Sequence, residues 1–146
     1  MGRFSRSGAL GDTAPAMSEE HVELVRAGFA AYNRGDLDTL MEMYAPDVEF
    51  VTLLLGNLRG REAIKRIYEE NRATLAGYRL DPEELIDVND GQVIAVARLG
   101  GKGHTSEIGL DARMAFLFTV RDGLLVRQQS FRGKADALEA AGLSGD

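Results

Sequence analysis

Residues 29–50 read FAAYNRGDLDTLMEMYAPDVEF, and the rest of the chain is arranged around this stretch. Gly35 accepts the left-handed backbone that ends many helices, and Asp36 is a side-chain N-cap for a second helix. Apolar residues then recur at helical spacing, which predicts two turns with one buried face. These residues are Leu37, Leu40, Met41 and Tyr44. Pro46 forbids continuation of the helix, so the chain is predicted to become a strand there.

Upstream of this corner, the sequence predicts a disordered lead followed by a long helix. Residues 1–17 contain glycine, serine, proline and arginine without an apolar period, and they lack the hydrophobic segment of a signal peptide. Ser18 is predicted to cap the long helix, and Glu19 and Glu20 favour its positive end. The predicted domain therefore spans residues 18–143.

Downstream of Pro46, the sequence predicts a loop at residues 56–60 and a third helix ending at Gly77. The Asp-Gly pairs at 90–91 and 122–123 predict hairpins, because they supply the positive φ values of tight turns. Helices followed by a meander of strands favour an α+β fold. The predicted meander has three to four strands, at about residues 79–89, 92–99, 107–120 and 124–131, and a short closing helix at 134–141.

The composition suits one globular domain. The chain has 146 residues, of which 45% are hydrophobic, and its formal net charge of −6 is spread without a basic patch. We therefore expect neither nucleic acid nor an anionic membrane surface as a partner. The chain has no cysteine and no apolar run long enough to span a bilayer. These features are compatible with a cytoplasmic protein, which is our expectation.

Motifs for metals, cofactors or a nucleophilic serine are not evident. The two histidines, His21 and His104, have no further ligands at metal-binding spacing. Residues 100–103 lack the strand-to-helix context of a phosphate-binding loop, and the chain has no G-x-S-x-G nucleophile elbow. We therefore expect no metal and no cofactor.

The last two strands predict an apolar wall with polar groups beside it. Period-2 alternation puts Met114, Phe116 and Phe118 on one face, which we expect to lie under the helices. Continued through the Asp122-Gly123 turn, the alternation puts Arg127, Gln129 and Phe131 on the same concave face. An enclosed arginine needs a partner, and the sequence leaves two open: a bound ligand, or an internal acid such as Glu49.

A long helix, the segment YNRGDLDTLMEMYAPDVEF, a GREAI helix and a run of antiparallel strands together resemble the SnoaL-like branch of the nuclear-transport-factor-2-like, or ketosteroid isomerase-like, superfamily. The resemblance covers about residues 18–143. It implies a cone-shaped, strongly curved mixed or antiparallel sheet of cystatin-like type, with helices packed on its concave face. It also implies a homodimer through the convex face, which would cover the apolar residues Val51, Leu53, Ala115 and Leu117.

The resemblance further implies a conical, mostly apolar pocket for a small amphipathic or aromatic molecule. Whether the chain is an enzyme is left open, and any chemistry would be of a cofactor-independent isomerase, cyclase or hydrolase type. The alternatives are non-catalytic binding and a dimerisation module with a filled core. The candidate pocket residues are Phe29, Tyr32, Phe50, Thr52, Tyr68, Met114, Phe116, Phe118, Arg127, Gln129 and Phe131.

Ketosteroid isomerases of this superfamily use a first-helix tyrosine, a first-strand carboxylate base and a protonated late-strand acid. Alignment on the Gly35-Asp36 corner and on the Phe116-Leu117-Phe118 strand puts Gly28, Thr52 and Met114 at these positions. None of the three side chains can perform the corresponding role, so we do not expect ketosteroid isomerase activity.

Overall fold

A computed structural model describes residues 10–53, 56–74, 78–88, 91–101 and 112–143. These residues form four helices and one six-stranded sheet. The helices are α1 (Leu10–Asn33), α2 (Leu37–Glu42), α3 (Arg61–Thr74) and α4 (Lys134–Ala140). The strands are β1 (Tyr44–Thr52), β2 (Gly56–Arg59), β3 (Tyr78–Asp87), β4 (Gln92–Gly101), β5 (Ala112–Arg121) and β6 (Leu124–Phe131).

The sheet is curved and mixed, in the order β2-β1-β6-β5-β4-β3. Strands β1 and β6 pair in parallel, and every other neighbouring pair is antiparallel. The parallel pair joins the start of the domain to its last strand, so a side chain on β1 can meet one on β6 across a long stretch of sequence. The predicted α+β fold with a mixed, curved sheet is confirmed.

The corner between α1 and α2 has the predicted geometry. Gly35 has a φ of 79°, and the Asp36 carboxylate accepts the Thr39 backbone N–H at 3.2 Å and the Thr39 hydroxyl at 2.7 Å. The predicted helical position of Tyr44 is wrong, because Tyr44 is the first residue of β1. The Leu125 backbone N–H donates to the Met43 carbonyl at 2.8 Å, so pairing with the last strand begins before the proline.

Two other boundaries differ from the predictions. Helix α1 begins at Leu10 and includes residues 10–17, which the sequence assigned to a disordered lead. A nucleated helix gains one hydrogen bond for each added residue, so it can extend beyond a capping signal. The predicted loop at residues 56–60 contains strand β2, whose backbone groups pair with the edge of β1.

Several predicted features lie outside the described residues. These are residues 1–9 of the lead, the end of the third helix at 75–77, the Asn89-Asp90 part of one turn, and the segment 102–111 with His104. The other Asp-Gly turn is described, and Asp122 and Gly123 have φ values of 53° and 78°. These values confirm the predicted tight hairpin between β5 and β6.

The sheet buries apolar side chains on both faces. The concave face, under α1–α3, carries the larger cluster, which includes Phe116 and Phe118. On the convex face, α4 places Ala137 against Ala115 and Leu117, which are 0% and 3% exposed. These two residues therefore do not form the exposed apolar patch that the sequence predicted, since α4 covers them within one chain. The homodimer through the convex face stays a prediction.

Candidate ligand-binding cavity

A cavity of about 460 Å³ lies between the concave face of the sheet and the helices. Eight of the predicted pocket residues lie on its wall: Phe29, Tyr32, Phe50, Thr52, Tyr68, Met114, Phe116 and Phe118. Most of the remaining wall is aliphatic, and three further polar residues, Tyr44, Gln128 and Ser130, complete it. Among the described residues that line the cavity, none has a charged side chain. The role of this wall in ligand binding stays a prediction.

Aromatic rings hold the apolar part of the wall in place. The Phe29 ring lies edge-on to Phe116 and to Phe118, with a centroid separation of 5.9 Å in each case. Tyr68 makes similar contacts with Tyr32 at 5.4 Å and with Phe50 at 6.0 Å. Edge-to-face and tilted pairs are favourable arrangements of aromatic rings, so side chains from α1, α3, β1 and β5 support one another across the cavity.

Tyr44, Tyr68 and Gln128 form a hydrogen-bonded group that we term the hydroxyl–amide ring. The Tyr44 hydroxyl donates to Gln128 Oε1 at 2.6 Å and lies 2.9 Å from the Tyr68 hydroxyl oxygen. Gln128 Nε2 donates to the Tyr68 hydroxyl oxygen over a longer distance of 3.5 Å. The ring joins β1, α3 and β6, and it is a hydrogen-bonded polar group in a mostly apolar wall.

Burial keeps the phenols of the hydroxyl–amide ring protonated above the pH at which a tyrosine ordinarily ionises. Tyr44 and Gln128 are 2% and 5% exposed. Loss of hydration raises the pKa of the Tyr44 phenol well above its ordinary value, and burial also raises the pKa of Tyr68. Both phenols are therefore protonated at neutral pH, and the hydroxyl–amide ring is uncharged.

Arg61, at the start of α3, fixes the backbone beside the hydroxyl–amide ring. Its guanidinium group donates to the Tyr44 carbonyl, which ties the first residue of β1 to the helix that carries Tyr68. The Nε atom of Arg61 is buried and has no hydrogen-bond partner among the described residues. Because this hydrogen bond is made to the Tyr44 backbone, Arg61 is a positioning residue.

Three predicted pocket residues lie on the opposite face of the sheet, so their predicted orientation is wrong. Arg127 Nε lies 3.2 Å from Glu49 Oε1, and Arg127 Nη1 donates to Gln129 Oε1 at 3.1 Å. Phe131 packs with the convex-face cluster near α4. Of the two partners left open for Arg127, the structure shows the internal acid, Glu49.

A β-bulge is the reason for this reversal. Along β5, Thr119 pairs with Arg127, whereas its neighbour Val120 pairs with Leu125, which leaves Val126 as an extra residue in β6. One extra residue shifts the side-chain alternation by one position. Leu125 therefore faces the cavity, but beyond the bulge the residues that face it are Gln128 and Ser130.

Sequence reasoning missed two members of the hydroxyl–amide ring. Tyr44 was assigned to a helix face, and no position was predicted for Gln128. A usable signal lay beside Tyr44: Ala45, directly before Pro46, favours an extended backbone, which argues against a helix that continues through Tyr44. Gln128 had no such local signal, because its orientation depends on pairing between β5 and β6.

The described residues contain no group of three or more histidine, aspartate or glutamate side chains that could hold a metal ion. Within the same residues, no helix is long and apolar enough to cross a membrane.

A family model for the SnoaL-like domain matches residues 25–128, which is most of the chain and includes the whole hydroxyl–amide ring. The chain belongs to the SnoaL-like domain family. An uncharacterised protein of Mycobacterium tuberculosis is 38% identical to it over 126 residues, covering 82% of this chain and 93% of that relative.

Solved structures show the same fold for this SnoaL-like domain. Bal32a, from a soil-derived mobile gene cassette, has a TM-score of 0.68 and 25% identity, covering 77% of this chain and 88% of the other. A putative ketosteroid isomerase from Kribbella flavida has a TM-score of 0.63 and 21% identity, covering 80% of each chain. At such identity the second similarity describes the fold alone.

The SnoaL-like domain presents Gly28, Thr52 and Met114 to its cavity, at the positions aligned with the ketosteroid isomerase machinery. The wall position of all three is consistent with that alignment. Thr52 uses its hydroxyl to donate to the Gly56 carbonyl at 3.0 Å. Gly28 and Met114 have no ionisable group, so these three positions provide neither a carboxylate base nor an acid.

Proposed function

We propose that this SnoaL-like domain binds a neutral, mostly apolar small molecule in its cavity, with the polar end of the ligand at the hydroxyl–amide ring. The observation that supports this most strongly is the composition of the wall. It combines aromatic and aliphatic side chains with hydroxyl groups and one amide, and its described residues include no charged side chain. Cavities of a few hundred cubic ångströms with this mixture are typical of small-molecule sites.

The absence of charge in the described wall argues for a neutral ligand. A buried ionised group costs several kcal/mol or more unless an opposite charge or several hydrogen bonds compensate for it. The nearest charged pair on these strands, Arg127 and Glu49, lies on the other face of the sheet and is already matched. A carboxylate or an ammonium ion would therefore enter the cavity without a compensating partner among the described residues.

The same wall favours binding over acid/base chemistry. A general acid or base works best when its pKa lies near the working pH. The ionisable groups of the hydroxyl–amide ring are phenols whose pKa values burial raises above the ordinary tyrosine value. They can donate or accept hydrogen bonds at neutral pH, but they do not exchange a proton readily there. Our proposal is therefore a binding protein, and the non-catalytic alternative is the one supported.

A fluorescent probe and two neighbouring substitutions test the proposal. N-phenyl-1-naphthylamine is neutral and becomes fluorescent in apolar sites, so the protein should bind it saturably. Ser130→Phe, which adds a ring at a cavity-facing position, should weaken this binding strongly. Gln129→Phe adds the same ring to the opposite face of the same strand and is the matched control, with binding unchanged.

A charged analogue tests the neutrality of the site. The sulfonated probe 1-anilinonaphthalene-8-sulfonate has a similar aromatic body and should bind less tightly than the neutral probe. Equal loss of binding in Ser130→Phe and Gln129→Phe, or no saturable binding at all, would contradict the cavity as the site. Equal affinity for the two probes would contradict its preference for neutral ligands.

A further inference from the structure

In the hydroxyl–amide ring, both phenol protons are donated to other members of the ring. A phenol has one proton to donate, whereas an amide oxygen can only accept. The Tyr44 proton is directed to Gln128 Oε1 at 2.6 Å, so Tyr44 has no proton left for its second neighbour. The 2.9 Å contact between the two hydroxyl groups is therefore a bond in which Tyr68 donates and Tyr44 accepts.

The distances support this orientation of the Gln128 amide. Hydrogen bonds of the O–H···O type are commonly about 2.7 Å long, whereas N–H···O bonds are commonly near 2.9–3.0 Å. The 2.6 Å contact with Tyr44 suits the amide oxygen better than the amide nitrogen. The nitrogen instead faces Tyr68 at 3.5 Å, a long contact that leaves the Tyr68 oxygen with acceptor capacity to spare.

We propose that the hydroxyl–amide ring selects ligands that carry a hydrogen-bond donor, such as an alcohol or a phenol, over ketones and ethers of the same shape. The inference rests on the proposed function, since it names the polar group of the ligand that this cavity takes. A ligand hydroxyl can donate to the Tyr68 oxygen. A ketone or ether oxygen would face that oxygen with no proton between them.

The size of the expected preference follows from the cost of an unmade hydrogen bond. Binding is weaker when a hydrogen-bond acceptor in the cavity loses its bound water and receives no donor from the ligand. One hydrogen bond lost in this way corresponds to about a tenfold increase in Kd. An alcohol should therefore bind about tenfold more tightly than its methyl ether, although the ether is the more apolar of the two. Apolar burial alone predicts the opposite order, which makes the comparison decisive.

Competition against N-phenyl-1-naphthylamine measures this preference with ligands of one shape. The compounds are 2-naphthol, 2-methoxynaphthalene and 2-acetylnaphthalene, and 2-naphthol should have the lowest Kd. Tyr68→Phe removes the accepting oxygen, so the ratio of the 2-naphthol and 2-methoxynaphthalene affinities should fall towards one. In Gln129→Leu, on the opposite face, the ratio should equal that of the unaltered protein.

Tyr44→Phe provides an independent second test. Without the Tyr44 oxygen, the Tyr68 proton loses its acceptor within the ring and becomes available to a ligand. The preference should then move towards 2-acetylnaphthalene, whose carbonyl accepts a proton. Tyr68→Phe should only abolish the advantage of the alcohol, whereas Tyr44→Phe should reverse the order in favour of the ketone. General loosening of the cavity would weaken all three ligands without such a reversal.

Three results would overturn the inference, and they differ from one another. Tighter binding of the ketone by the unaltered protein would mean that the Gln128 amide is reversed and that Tyr68 donates to ligands. Equal affinities for all three compounds would mean that the ligand does not contact the ring, while the cavity remains the binding site. If neither the probe nor any naphthalene binds, the proposed function fails together with the inference.

Discussion

Two polar networks lie on opposite faces of the same two strands. On the concave face, Tyr44 of β1 and Gln128 of β6 meet Tyr68 in the hydroxyl–amide ring. On the convex face, Glu49 of β1 forms an ion pair with Arg127 of β6. The two β6 members are adjacent in sequence, yet one network is neutral and the other is charged.

The difference follows from how much water each network keeps. Gln128 is 5% exposed, whereas the side chains of Arg127 and Glu49 are 38% and 29% exposed. Charged groups retain part of their hydration at the second site and would lose nearly all of it at the first, where neutral hydrogen-bonding groups cost less to bury. The cavity is therefore suited to ligands without charge, and the ion pair belongs to the structure of the sheet.

The largest expected effect comes from placing a charge in the dry network. Gln128→Glu should destabilise the protein by roughly 2–4 kcal/mol at pH 8, because the new carboxylate would be buried at a wall whose described residues include no positively charged side chain. Gln129→Glu is the matched control on the wetter face and should cost less than about 1 kcal/mol. Urea denaturation measures both free energies of unfolding.

The pH dependence of Gln128→Glu has a definite sign. Burial raises the pKa of the new carboxyl group in the folded state above its unfolded value of about 4.3. Below that pH both states are protonated and the cost is absent; it grows as the pH rises towards the folded value. A loss of stability equal to that of Gln129→Glu, or one independent of pH, would show that water reaches Gln128.

The second-largest expected effect is a loss of stability at alkaline pH. Because burial raises the pKa values of Tyr44 and Tyr68, both phenols should stay protonated above pH 10 while the protein is folded. Tyrosines of the unfolded chain ionise near pH 10, so the free energy of unfolding keeps its full value below that pH. Above it, the free energy of unfolding decreases as the pH rises towards the folded-state pKa values, by about 1.4 kcal/mol for each unit of difference between the folded and unfolded pKa.

Ultraviolet absorbance of the phenolate ion measures this titration. Of the four tyrosines in the chain, Tyr44 and Tyr68 should ionise late, together with unfolding. In Tyr44→Phe, stability should decline less steeply above pH 10. Ionisation of all four tyrosines near pH 10 in a protein that is still folded would contradict a dry hydroxyl–amide ring.

The smallest effect is expected in the charged network. Arg127→Met should cost less than about 1 kcal/mol, because the pair that it breaks is partly exposed and screened by salt. A double-mutant cycle with Glu49→Gln isolates the pair energy, which should decrease as salt is added. Binding of the naphthylamine probe should be unchanged. Weaker probe binding in Arg127→Met would contradict the position of this residue on the convex face and would support the cavity-facing orientation that strand alternation predicted.

The last two strands show which side chains of the site the alternation pattern of a single strand can predict and which it cannot. In β5, alternation correctly placed Met114, Phe116 and Phe118 under the helices, because this strand keeps a regular register with β4. In β6 the same rule failed after Leu125, because the extra residue at Val126 reverses the alternation. A bulge depends on the pairing of two strands, so the pattern of one strand does not reveal it.

Local chemistry in the sequence determined the order of the elements, the corner at Gly35 and Asp36, and the tight turn at Asp122 and Gly123. Each depends on the backbone preferences of a few neighbouring residues. The tertiary structure alone decided that Tyr44, Tyr68 and Gln128 meet, and that Arg127 and Glu49 pair behind them. These contacts join residues 24 and 84 positions apart in the ring and 78 apart in the ion pair. They exist because a parallel strand pair and one bulge bring distant residues to the same point, and no local preference of the chain encodes that.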